Sequence, residues 1–160
     1  MNWLRFSIRS LLVVTFISAF AVVIWPRPNP NAPDPAWRDL LFENSMPLAN
    51  VPEIEVKSTQ GGSIWVTAKN TGSTTLQYYS AGKSHIQLFQ ETHDGTKWTN
   101  GGWDWCGTGK ELFEIAPDES VDLKLNFWLN DQPVRMLAVF SEKNTERSGL
   151  VVLASQDLAK

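Results

Sequence analysis

At 160 residues, 42% hydrophobic and 19% charged, the chain has room for one globular domain and an apolar appendage, and is not a disordered chain. Its net charge of −3 is uneven, with Arg5, Arg9 and Arg27 against Asp34 giving +2 in residues 1–35 and leaving −5 on residues 36–160. An acidic domain with scattered lysines excludes nucleic acid as a partner, and one cysteine excludes internal disulfides and multi-cysteine zinc sites.

Ser10–Trp25 carries no charge and is overwhelmingly apolar. Its sixteen residues would rise about 24 Å as a helix, short of the ~30 Å hydrocarbon core. Extending the helix back to Trp3 closes the gap, because Arg5 and Arg9 snorkel to the interface and Trp3 and Trp25 anchor the two headgroup levels. Pro26 ends it. The arginines near the start favour a cytoplasmic N-terminus and export of everything after Pro26. Cleavage after Ala21, at Ala19-Phe20-Ala21, is the competing expectation, and a buried core helix is a third. Cleavage would leave the hydrophobic end Val22-Val23-Ile24-Trp25, which favours an uncleaved anchor over residues 1–25. Arg5–Leu12 resembles the RFS(I/L)R-x-LL opening of many short, uncharacterised bacterial membrane-anchored proteins, a resemblance that implies topology and no activity.

Five of the nine prolines fall in residues 26–35, the composition of an extended, semi-rigid spacer. Asp34 reads as a helix N-cap with Pro35 in the first turn. Trp37, Leu40 and Leu41 then stand at helical spacing, predicting a short amphipathic helix that docks on the domain within residues 36–50.

From Val51 the period changes from helical to alternating. The spacing predicts strands over Glu53–Thr59, Ser63–Asn70, Thr74–Tyr79, His85–Thr92, Leu112–Ile115, Val121–Phe127, Val134–Phe140 and Leu150–Ala154, the last two central because they are continuously apolar. Asn70-Thr71-Gly72, Asp94-Gly95 and Ala116-Pro117-Asp118-Glu119 supply turns. Seven or eight short strands with turns between them predict an all-β antiparallel sandwich of immunoglobulin-like topology over residues 51–160. VTAKNT at 66–71 and IAPDESVDL at 115–123 resemble the inter-strand turns of bacterial immunoglobulin-like domains, with Asp118 where those domains carry glycine. Trp105–Gly109, WCGTG, resembles a stretch in membrane-anchored bacterial proteins, and implies no catalytic residues.

Trp98–Lys110, WTNGGWDWCGTGK, concentrates three of the eight tryptophans, the one cysteine and four of the ten glycines. Gly107-Thr108-Gly109-Lys110 is not a phosphate loop: Asp104 stands where the first glycine belongs and Glu111 where Ser or Thr must follow the lysine. Cys106 is a candidate reactive thiol, with His85 or His93 as base, against the plainer reading of a buried apolar thiol. Acid pairs among Asp94, Asp104, Glu111 and Glu114 sit at turns, where carboxylates are solvated, so glycosidase chemistry is not expected. The sharper expectation is a glycan- or peptide-binding platform of Trp98, Asn100, Trp103, Asp104 and Trp105, offering flat apolar rings with polar neighbours. The plainer one is that these tryptophans plug an end of the sandwich. Together these readings predict a single-pass, non-enzymatic envelope protein without a cofactor, whose partners are the membrane and an envelope protein or polysaccharide.

Overall fold

Strict alternation over Ser120–Asn126 places Val121, Leu123 and Leu125 on one face and Asp122, Lys124 and Asn126 on the other, so the strand must bury one side. In the computed structural model it does: Leu123 and Leu125 are fully buried. The structure describes residues 33–34, 41, 45–60, 63–103, 110–126 and 132–156, all within one unit, Pro33–Lys160. The expected membrane helix, the spacer up to Ala32 and the post-spacer helix (Leu41 apart) lie outside the described residues, as do Asp104, Trp105, Cys106 and Phe127.

Ten strands follow in chain order: β1 (Glu53–Gln60), β2 (Ser63–Lys69), β3 (Leu76–Ala81), β4 (His85–Ile86), β5 (Phe89–His93), β6 (Trp98–Trp103), β7 (Glu111–Ile115), β8 (Ser120–Asn126), β9 (Val134–Glu142) and β10 (Ser148–Gln156). They pair antiparallel in two sheets. One has three strands in the order β1-β2-β8; the other has seven, with β4-β3-β9-β5-β6 as its path, β10 added to β9 and β7 to β3. Val66, Ala68, Val121, Leu123 and Leu125 of the first meet Leu76, Tyr78, Ile115, Met136, Phe140 and Leu153 of the second in one core. Burial also pushes the Tyr78 hydroxyl up from its ordinary pKa, while the hydroxyl donates to the Lys83 carbonyl.

Two strands exceed the sequence expectation, for separate reasons. His85–Thr92 is interrupted because the chain changes partner inside it. The Gln87 N–H stays with the Tyr79 carbonyl of β3, whereas Phe89–Thr92 pairs with β9. Trp98–Trp103, expected as part of a loop, is the edge strand β6.

Centrality is also corrected. β9 is central, but among the described residues β10 has a strand partner only in β9. Its apolar run arises from a bulge between Val152 and Ala154, after which Leu153 and Ala154 are buried in succession. Val56 pairs with buried Val66 yet is exposed, because β1 lies at the margin of the three-stranded sheet.

The turns are pinned by buried polar side chains. Asn70 donates its amide to the carbonyls of Thr74 and Ile115 and accepts from the Gly72 N–H. Its main chain exchanges bonds with Asp118 and Glu119. Asp118 has φ +64°, so it takes the left-handed conformation that glycine would take there. Buried Glu142 accepts from the N–H groups of Ala49 and Asn50, fastening the approach to β1 onto the end of β9.

Candidate functional site

β6 begins where Asp94 and Gly95 close the β5–β6 hairpin. One Asp94 oxygen accepts from the Thr96 hydroxyl and the N–H groups of Thr96 and Lys97. Those bonds, the Thr96 hydroxyl first, hold its pKa down at about 2. The register then runs His93↔Trp98, Thr92↔Thr99 and Glu91↔Asn100, shifts, and resumes at Gln90↔Gly102 and Phe89↔Trp103. Gly101 is the extra residue. A Cβ there would approach the Gln90 carbonyl oxygen at 3.2 Å, and Gly102 has φ +131°. The glycine pair thus permits a bulge that side chains would resist.

The bulge decides which tryptophans share a face. Paired residues point to the same side of a sheet, so Trp98, Asn100 and Trp103 all lie with Phe89, Glu91 and His93. Simple alternation would have turned Trp103 away from Trp98. This is the outer face of the seven-stranded sheet, opposite the core. Neither Trp98 nor Trp103 belongs to that core, and the expectation that they plug the sandwich is corrected: β6 is an edge strand and its bulge keeps both rings outside.

Trp98 is half-buried. The Arg135 guanidinium lies 4.4 Å from its ring centroid, a cation–π contact, and the His93 ring meets it edge-on at 5.0 Å. Trp103 meets Phe89 edge-on at 6.5 Å and is 44% exposed. The Asn100 N–H donates to an Asp34 carboxylate oxygen at 3.1 Å, and its side-chain carbonyl accepts from Gly102 at 2.9 Å. Of the five residues expected to form a platform, the structure brings together Trp98, Asn100 and Trp103.

What sequence reading missed lies beside them. Glu91 and Arg135 are buried, at 0% and 3% exposure, and form an ion pair in which Nε and Nη2 both donate to Oε2 at 2.6 Å. Glu91 Oε1 accepts from the Asp34 N–H at 2.7 Å. The signal was one charge in each of two apolar strands, Glu91 in HIQLFQET and Arg135 in VRMLAVF. Around the pair stand Phe89 and Leu137, buried, with Leu41, Val139 and Leu150 packed on them.

The two outer faces differ. On the three-stranded sheet Asp122 accepts from Lys57 and Thr67 at 2.8 Å each, bonds that hold its carboxyl below the usual range, and Ser63 donates to Asn126. That face is polar. On the seven-stranded sheet Tyr79, Leu112, Trp103 and Val152 are exposed. Tyr79 and Leu112 pair across β3 and β7, and Val152 pairs with Leu137.

No protein-family model and no curated protein matches the chain. Among solved structures, it is similar to the X-ray structure of Northeast Structural Genomics Consortium target SoR45. The identity is 17%, over 70% of this chain and 88% of that chain, with a TM-score of 0.44.

Among the described residues, no group of histidine, cysteine and carboxylate side chains is arranged to hold a metal ion. None of the described helical residues belongs to a helix long and apolar enough to cross a membrane. Two of the four acids at the turns, Asp94 and Glu114, are engaged by other groups. Asp94 closes its own hairpin, and Glu114 accepts from Lys143 and Gln77, bonds that lower its pKa.

Proposed function

We propose that this chain is a single-pass envelope protein whose exported β-sandwich, of immunoglobulin-like topology, serves as a protein-interaction module. The observation that carries the interaction reading is the asymmetry of the two outer faces. One carries the polar pairs of Asp122 and Asn126 around a half-buried Trp65, and the other exposes Tyr79, Leu112, Trp103 and Val152. Apolar side chains gathered on one face mark a contact surface, whereas scattered ones need no explanation. Anchoring is supported by the uncharged run Ser10–Trp25 behind Arg5 and Arg9, and the proline-rich residues 26–35 act as spacer.

The test is site-specific photo-crosslinking in cells. A photo-reactive residue at Trp103 or Leu112 should give a discrete protein adduct, and one at Thr67, on the polar face, should not. Equal adducts from both faces would sink the reading.

A second reading, a glycan or peptide platform built on Trp98, Asn100 and Trp103, is favoured by the exposure of Trp103. Asp104 and Trp105, also expected in the platform, and the candidate thiol Cys106 lie outside the described residues. Retention on purified envelope polysaccharide should then fall at least tenfold in Trp103→Ala while the melting temperature holds, a tenfold loss being about 1.4 kcal/mol.

A further inference from the structure

Asn100-Gly101 is the sole asparagine–glycine step in the chain, and both residues are exposed on the edge strand β6. Glycine after asparagine leaves the next main-chain nitrogen open, since no side chain stands between it and the asparagine amide. Gly101 is also the extra residue of the bulge, outside the one-to-one register that holds its neighbours opposite Glu91 and Gln90.

The Asn100 amide is set up as an electrophile. Its Oδ1 accepts from the Gly102 N–H at 2.9 Å, so a donor already lies where negative charge gathers when Cγ is attacked. Among the described residues nothing accepts from its Nδ2, which leaves that nitrogen open to solvent protons. Asn70 shows the opposite arrangement. It is buried, its Nδ2 donates to the carbonyls of Thr74 and Ile115, and β-branched Thr71 follows it.

We propose that Asn100 is a self-modification site, converting to aspartate and isoaspartate through a succinimide closed by the Gly101 nitrogen. Solvent base takes the Gly101 N–H proton, and the nitrogen forms a bond to Asn100 Cγ. The carbonyl electron pair moves onto Oδ1, held by the Gly102 N–H. Its return breaks the Cγ–Nδ2 bond, and Nδ2 leaves as ammonia with solvent protons. Water then opens the ring, at the side-chain carbonyl to give aspartate or at the main-chain carbonyl to give isoaspartate. The net change consumes a water and releases an ammonia, with no oxidation or reduction.

Either product changes the outer face. Aspartate puts a second carboxylate beside Asp34, which takes the Asn100 N–H, and like charges at that range repel. Isoaspartate adds a methylene to the main chain between the pairs Glu91↔Asn100 and Gln90↔Gly102, altering the offset that sets Trp103 on the side of Trp98. The reaction needs no partner, so it stands or falls apart from the contact reading.

The test follows the full chain in detergent micelles at mildly alkaline pH, with the synthetic peptide Trp98–Lys110 as the unstructured reference. Trypsin cuts after Lys97 and Lys110, at mildly acidic pH so that digestion adds no conversion. Mass spectrometry reads the gain of an amide-to-acid change in that peptide, and isoaspartyl methyltransferase labels the isoaspartate. The folded chain should convert at Asn100 within about tenfold of the peptide's rate and take the label. Asn100→Gln, which must close a larger ring, should do neither. A folded rate more than about tenfold below the peptide's, a barrier higher by about 1.4 kcal/mol, would overturn the proposal, as would conversion confined to other asparagines.

Discussion

The Asp34 N–H meets Glu91 Oε1 at 2.7 Å, across 57 positions of sequence. Through that bond the main chain at Asp34 is attached to a carboxylate buried in a sheet. Glu91 in turn neutralises Arg135, which covers Trp98. A residue suspected for its aromatic ring is thus part of a polar anchorage.

Removing one member of the ion pair strands the other. Arg135→Met and Glu91→Leu, made singly, should each cost about 3–5 kcal/mol, whereas the double variant should recover most of the loss. Urea unfolding of the four proteins gives the cycle. An additive double variant would mean that the two charges are not coupled.

Gly72 has no room for a side chain, since a Cβ there would stand 2.7 Å from the Asn50 Cβ. Gly72→Ala should therefore destabilise by roughly 1–3 kcal/mol. Adding Asn50→Gly, which removes the opposing Cβ, should restore a substantial part. Thermal unfolding of the single and double variants decides whether this contact is the cause.

Asp118 tests the turn that joins β7 to β8. With φ at +64°, glycine fits without strain and alanine does not. Asp118→Gly should be more stable than Asp118→Ala by about 1 kcal/mol in chemical denaturation, and the reverse order would show that the turn relaxes.

Asp94 predicts an acid limb. Its folded pKa lies near 2 against an ordinary 3.8, so its bonds to Thr96 and Lys97 add stability above about pH 4. That contribution fades as the pH falls through the folded pKa. Carboxyl NMR titration of Asp94 should give a midpoint near 2. Asp94→Asn should flatten this part of the melting-temperature profile between about pH 4 and 2. A midpoint near 3.8 would contradict the hairpin geometry.

The all-β class was legible in local pattern, because period-two alternation is the direct consequence of a strand burying one face. Ser63–Lys69 and Ser120–Asn126 show it cleanly, and Val66, Ala68, Leu123 and Leu125 are buried as the alternation demands. The turn at Ala116-Pro117-Asp118-Glu119 was legible too, but the left-handed conformation of Asp118 was not, since aspartate in place of glycine left the turn type open. Tertiary structure decided what depends on partners. β10 is an edge strand although its sequence is as apolar as that of a central one, since a bulge turns Leu153 and Ala154 inward together. Trp98 and Trp103 share an outer face because one glycine bulge offsets the register of β6. Spacing within the strand describes alternation only, and cannot contain the shift. Least legible was the meeting of Asp34, Glu91 and Arg135. A lone charge in each of two apolar strands carries no sign of its partner, and the bond that unites them runs to a main-chain N–H, which every residue but proline possesses.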